Sequence, residues 1–259
     1  MPRFSANISM MFTERAPLDR PKAAADAGFG AIEIQFPYDT PVDAWARAIE
    51  AAGVGVSVIN FPVGDMLDGG PGLAAMPGRE EAFQAAVAAA VPYAAMLKPR
   101  NYNVLPGFPP VDELGRDACL DALAANLRHA GETLTPLGVR VVTEAVNTVD
   151  RPGFFLKSSS QALEAVDRAG HPNLAIEHDL YHMHIMEGRL IERLGEIMGR
   201  IGHIQFADAP GRHEPGTGDI DFQPIFQTID ELGYDGWVAA EYIPSKRTEE
   251  TLDWLEPWR

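Results

Sequence analysis

Short apolar or β-branched runs recur along the chain. Each is followed by a longer stretch whose apolar residues fall three or four apart among alanines and charges. The runs cover 4–9, 31–35, 55–60, 101–105, 139–144, 174–179, 201–206 and 237–241. Helical periodicity covers 18–27, 42–52, 79–97, 112–134, 158–169, 189–198, 222–232 and 248–255. Pro41 and Asp43 mark the start of the second helix and Gly53 its end. Ser158 to Ser160 offer N-caps to the fifth, which Gly170 closes. The strand runs are almost continuously apolar, as in parallel sheets buried on both faces. Alternation of strand and helix gives right-handed crossovers. Eight such units in 259 residues match a closed barrel, which needs roughly 250 residues. The predicted fold is therefore α/β, a (β/α)8 TIM barrel, as one domain over 1–259.

No linker rich in glycine, serine or proline divides the chain. The segment 61–78 (FPVGDMLDGGPGLAAMPG) follows the third strand, so it is expected at the C-terminal mouth of the barrel as a lid or wall. At the ends of strands five to eight, polar residues interrupt apolar runs: Glu144 in VRVVTEAVN, Asp179 in NLAIEHDLYHM, Gln205 in IGHIQFAD and Glu241 in GWVAAEY. Each lies about one βα unit after the last, so all four are expected at the barrel end where active sites are built. One carboxylate at a strand end is commonly a helix cap, but four at matched depth are hard to explain that way. Three carboxylates and an amide oxygen make a hard donor set, suited to one divalent cation, Mg²⁺ or Mn²⁺, rather than zinc or copper. Without a cation, the converging carboxylates repel one another and take up protons.

Charge narrows the partners. With 37 acidic and 21 basic residues the formal net charge is −16, which disfavours nucleic acid and anionic membrane surfaces. The single cysteine, Cys119, fits a reducing compartment, and falls on an apolar helical face as a packing residue. No secretory signal and no run of about 20 apolar residues is present, so a cytoplasmic location is expected. A homo-oligomer is left open.

At these residues the sequence resembles the hydroxypyruvate isomerase family, within the xylose-isomerase-like barrels. The likeness runs through RFSANISMMF, GFGAIEIQFPYD, FPVGD, MPGREEAF, TEAVNTVDRPGFFL, HDLYHMHIMEG, HIQFADAPGRHEPGTGDID and GWVAAEY to WLEPWR. The resemblance implies that Glu144, Asp179, Gln205 and Glu241 hold the metal and that the two glutamates serve as acid and base. It implies a small hydroxy-keto acid as substrate, interconverting hydroxypyruvate and tartronate semialdehyde through an enediolate. Related sugar epimerases imply that His182 and Arg212 contact substrate, which here means holding its carboxylate. The chain departs from the family at Ala145, where proline is usual, and at Glu177, where glutamine is usual. The opening MPRFSANISMMFTE is also similar to the 2-oxo-tetronate isomerases.

Asn7 and Asn60, near the ends of the first and third strands, are candidates for binding substrate oxygens or capping loops. Glu33, inside AIEIQF, is expected to make a structural hydrogen bond, and the glycines at 216 and 218 to form a turn. Glu177 and His203 each lie two residues before a proposed ligand on adjacent strands. They are expected to pair inside the barrel, because a lone buried carboxylate is costly. Three rivals stand beside the hydroxypyruvate reading. A 2-oxo-tetronate isomerase or keto-sugar epimerase shares the site. A metal-dependent endonuclease needs a basic groove and more histidines. A non-catalytic sugar-acid binder needs no matched glutamates.

Overall fold

Eight parallel strands close on themselves in sequence order in the computed structural model, which describes residues 1–258. They are β1 (Arg3–Asn7), β2 (Ala31–Ile34), β3 (Gly55–Asn60), β4 (Asn101–Val104), β5 (Arg140–Glu144), β6 (Leu174–Asp179), β7 (Ile201–Phe206) and β8 (Trp237–Ala240). Closure comes from β1 against β8, with Ser5 opposite Ala239. Every strand agrees with the apolar runs to within a residue or two.

Around the barrel run α1 (Arg20–Asp26), α2 (Val42–Ala52), α3 (Glu80–Leu97), α4 (Val111–Leu114), α5 (Arg116–Leu134), α6 (Ser159–Ala169), α7 (Leu180–Met186), α8 (Leu190–Ile197) and α9 (Phe222–Glu231). The Ser158 hydroxyl caps α6 by accepting from the Gln161 amide. The helix expected over 112–134 is instead two, because Gly115 takes φ 81° and ψ 139° between α4 and α5, a conformation that ends helical hydrogen bonding. α7 was not expected; the Asp179 side chain starts it by accepting from the Tyr181 amide. The final helix is replaced by two 3₁₀ segments, Thr248–Thr251 and Asp253–Trp258. There Pro257 opposes an α-helix, and the Thr251 hydroxyl donates back to the Thr248 carbonyl. This segment brings Trp254 edge-on to Phe4 (5.3 Å) and Phe206 (5.1 Å), closing the seam beside β1 and β7.

The apolar core lies between the strands and the helices, with Cys119 wholly buried in it. The barrel interior is different. Val58, Val142 and Ala175 form a small separate apolar cluster. Nearer the C-terminal mouth the interior is polar, with Glu33, Asn103, Glu177 and His203 all buried. The loop 61–78 carries a 3₁₀ turn at Gly64–Asp68 and sends Met66 and Leu67 to the mouth cavity, as a wall. Asp65 pins it, accepting from Arg79 and from the Gly72 amide (3.0 Å). Among the described residues, no helix is long and apolar enough to cross a membrane.

Candidate active site

Glu144 and Asp179 end β5 and β6, Gln205 is the penultimate residue of β7, and Glu241 follows β8 directly; all four are buried. Glu144, Gln205 and Glu241 line one cavity of about 800 Å³, counting its open mouth, together with Asn7, Asn60, His182 and Arg212. The expected convergence at one barrel end is therefore present.

Amides and one guanidinium hold the carboxylates. Glu241 accepts from Asn7 (2.8 Å) and Gln35 (2.9 Å) and pairs with Arg212. Arg212 also stands 3.6 Å from Asp179 and over the Tyr181 ring, 5.4 Å from its centroid. Asn103 donates to both Glu144 and Glu177, each at 3.2 Å. His182 Nε2 lies 3.7 Å from Glu144 and 3.5 Å from Asp179, while its Nδ1 meets Asn147 at 2.7 Å.

Crowding raises the proton affinity of these acids. Burial and then the charges of Glu241 and Asp179 push the Glu144 carboxyl well above the usual range. Glu177 is raised by burial and then by Glu144 and Glu33. Glu241 rises to about 7 because burial outweighs the opposing Arg212 charge. Burial holds the His182 imidazole down at about 4, against the pull of Asp179. Burial works against the Arg212 charge too, but Glu241, Asp179 and Glu144 outweigh it. At an effective dielectric near 20, two like charges about 4 Å apart repel by roughly 4 kcal/mol. One guanidinium cannot balance this set, so the acids require protons or a further cation.

The donor atoms fit a cation. Gln205 Oε1 and Asp179 Oδ2 are buried with no hydrogen-bond partner. Glu144, Asp179 and His182 each offer a ligand atom within 4.8 Å of the others, a buried group able to hold a metal. One expectation changes here. His182 stands in that group, so the donor set need not be oxygen alone. Arg212 meets Glu241 and Asp179 through Nη2, while its buried Nε has no hydrogen-bond partner. Its backbone is left-handed, at φ 57°, a costly conformation at a non-glycine residue.

The expected pair of Glu177 and His203 does not form. Their α-carbons are partners across β6 and β7, but the His203 ring reaches across the barrel to Glu33. Glu177 turns to Asn103 and leaves its other oxygen without a partner. Glu33 has the structural role expected of it, accepting also from Asn7 and Gln205, both at 3.0 Å. The 216–218 segment is the expected turn, its three amides donating to Asp208. Gln35, Asn103, Asn147 and Arg151 were not anticipated. Gln35 and Asn103 could have been found as polar residues in apolar strand runs, the criterion that found Gln205.

The fold and this cluster of strand-end acids define a metal-capable barrel enzyme. The chain belongs to the xylose isomerase-like TIM barrel family, whose model matches residues 21–258. It is 40% identical over 259 residues, all of both chains, to the hydroxypyruvate isomerase of Escherichia coli strain K12. It is 38% identical over 258 residues to the 2-oxo-tetronate isomerase of Pectobacterium atrosepticum, covering 100% of this chain and 98% of the other. A solved structure named AP endonuclease, family 2, from Brucella melitensis superposes with a TM-score of 0.96 at 39% identity, covering both chains fully. With full-length relatives of these kinds, the protein is an isomerase.

Proposed function

We propose that the protein interconverts hydroxypyruvate and tartronate semialdehyde. A proton leaves C3 of the keto acid and a proton arrives at C2, through an enediolate, with Glu144 and Glu241 as the two acid–base groups. One observation carries this reading: two buried glutamates from β5 and β8 line one cavity, both with raised proton affinity, Glu241 at about 7. A carboxyl group titrating near neutral pH can both take and return a proton. Asn7 and Gln35 fix the Glu241 carboxylate, and Asn103 fixes that of Glu144.

Glu144, Asp179, Gln205 and Glu241 would hold one divalent cation, Mg²⁺ or Mn²⁺, with His182 adjacent. When bound, the cation supplies Lewis acidity to the substrate's carbonyl and hydroxyl oxygens and offsets developing negative charge. Arg212, His182, Asn7 and Asn60 orient the substrate's oxygens in the cavity they line.

The 2-oxo-tetronate relative, 38% identical over the whole chain, favours a four-carbon acid as the second reading. An endonuclease is disfavoured because the lining carries Glu33, Glu144, Glu177 and Glu241, which repel a phosphate backbone. The test is turnover of hydroxypyruvate and 2-oxo-tetronates in deuterated water, with cation and with chelator. Cation-dependent isomerisation with deuterium incorporated at carbon is expected. Binding without proton exchange would leave only a sugar-acid binding protein.

A further inference from the structure

We propose that Arg151, on the outer wall of the cavity, is the anchor for the substrate's carboxylate and selects acids over uncharged hydroxy ketones. This rests on reading the site as one for a small hydroxy-keto acid.

The charge map of the cavity carries the inference. Its inner end is acidic, and Arg212, the arginine deepest in the lining, already pairs with Glu241 and stands against Asp179. His182 is engaged on both ring nitrogens, with Nδ1 against Asn147 at 2.7 Å and Nε2 facing Glu144 and Asp179. A carboxylate entering with its carbonyl inward must therefore come to rest away from the glutamates. Arg151 is the other arginine of the lining. Among the described residues its guanidinium has no hydrogen bond and no ion pair. Asp150, next in sequence, accepts from Tyr181 (2.6 Å) and Asn147 (2.9 Å) on Oδ2, turned toward the site, and among the described residues makes no ion pair with Arg151.

The backbone at Arg151 is pre-set although its side chain is free. The Arg151 amide donates to the Asn147 carbonyl (3.2 Å), and its carbonyl accepts from the Phe154 amide (3.2 Å). Asn147 in turn is fixed to His182 at 2.7 Å. The guanidinium thus springs from a loop tied to the site. Beside it, Phe154 and Phe108 meet edge to face at 5.3 Å and form an apolar wall. A planar fork suits a carboxylate through two parallel hydrogen bonds, and an exposed positive rim also speeds the approach of an anion to an acidic protein.

Arg151→Gln should leave the fold and cation affinity unchanged, because the residue is exposed and outside the ligand group. With the Mg²⁺-loaded protein, KM for hydroxypyruvate should rise about tenfold with kcat within a factor of two, the loss expected of one charge-assisted contact. Arg151→Lys should recover part of it. Binding of glycerate, an unreactive acid, should weaken by the same factor and lose its salt dependence, while that of glycerol stays the same. Wild type and Arg151→Gln binding glycerate equally would overturn the anchor, whatever the activity. If wild type isomerises no hydroxy-keto acid but binds glycerate through Arg151, the functional reading falls and the anion subsite stands.

Discussion

His203 of β7 reaches across the barrel axis to Glu33 of β2, although its neighbour in register is Glu177. The consequence runs upward to the site. Glu33 spends one oxygen on His203 and the other on Asn7 and Gln205. By taking the Gln205 amide nitrogen, it leaves Gln205 Oε1 buried without a hydrogen-bond partner and available as a ligand atom. Glu33→Gln should therefore weaken cation binding about 10–100-fold, as with other groups that orient a ligand from behind. The unsatisfied atoms left behind should cost about 1–3 kcal/mol of stability. Calorimetric titration with Mn²⁺ and a thermal melt measure the two separately; unchanged affinity would refute the orienting role.

Replacing Glu144 or Glu241 by glutamine should cost about 10²–10⁴ in kcat, the range for a group that transfers protons. Each carboxylate would serve both proton and cation, so the double variant should lose little more than the worse single one. Kinetics at saturating cation, with circular dichroism for the fold, test this. A variant that keeps most of its activity when fully loaded would remove that residue from proton transfer.

Stability of the cation-free protein should fall as pH rises from about 5 to 8. In the unfolded chain a glutamate ionises near pH 4.3. In the folded chain burial holds Glu144 protonated well above that, and Glu241 to about 7. Between those values the folded state binds more protons than the unfolded one, so unfolding becomes easier with rising pH. Divalent cation replaces those protons and should erase the slope. Melts in chelator should drop by several degrees over this range, and melts in Mg²⁺ should not. Parallel curves would mean the acids hold no cation.

The barrel was legible because strands buried on both faces read as unbroken apolar runs, and helices as 3.6-residue periodicity. The four strand-end residues were legible for a related reason: a carboxylate or amide in such a run stands out, and its one-unit spacing fixes which barrel end it reaches. What joins them was not. Glu33 and His203 meet across the axis from strands 170 residues apart, and register, which strand alternation predicts, does not say where a long side chain turns. α7 was hidden because its cap is Asp179, already assigned as a strand end. That Glu241 and Asp179 draw Arg212 inward was hidden too, because the sequence carries no hint of those contacts.

Asp208 should control how well Arg212 is placed. It follows β7 and gathers five amides: Ala209 (2.9 Å) and Ile220 (3.0 Å) on one oxygen, Gly216 (2.8 Å), Thr217 (3.1 Å) and Gly218 (2.9 Å) on the other. The loop so held contains Arg212 in its left-handed conformation. A carboxylate is an acceptor at both oxygens, whereas asparagine would turn an NH₂ toward N–H donors. Asp208→Asn should therefore lose about 1–3 kcal/mol and loosen residues 209–220, with kcat/KM falling about tenfold through misplacement of Arg212. Gly218→Ala should act alike by a different route, since a Cβ there would come within 2.1 Å of the Ala209 carbonyl oxygen. Hydrogen exchange localises the effect: faster exchange confined to 209–220 with the barrel strands unchanged is expected in both variants. Full activity in either, with that loop demonstrably mobile, would mean that Arg212 need not be held where it stands.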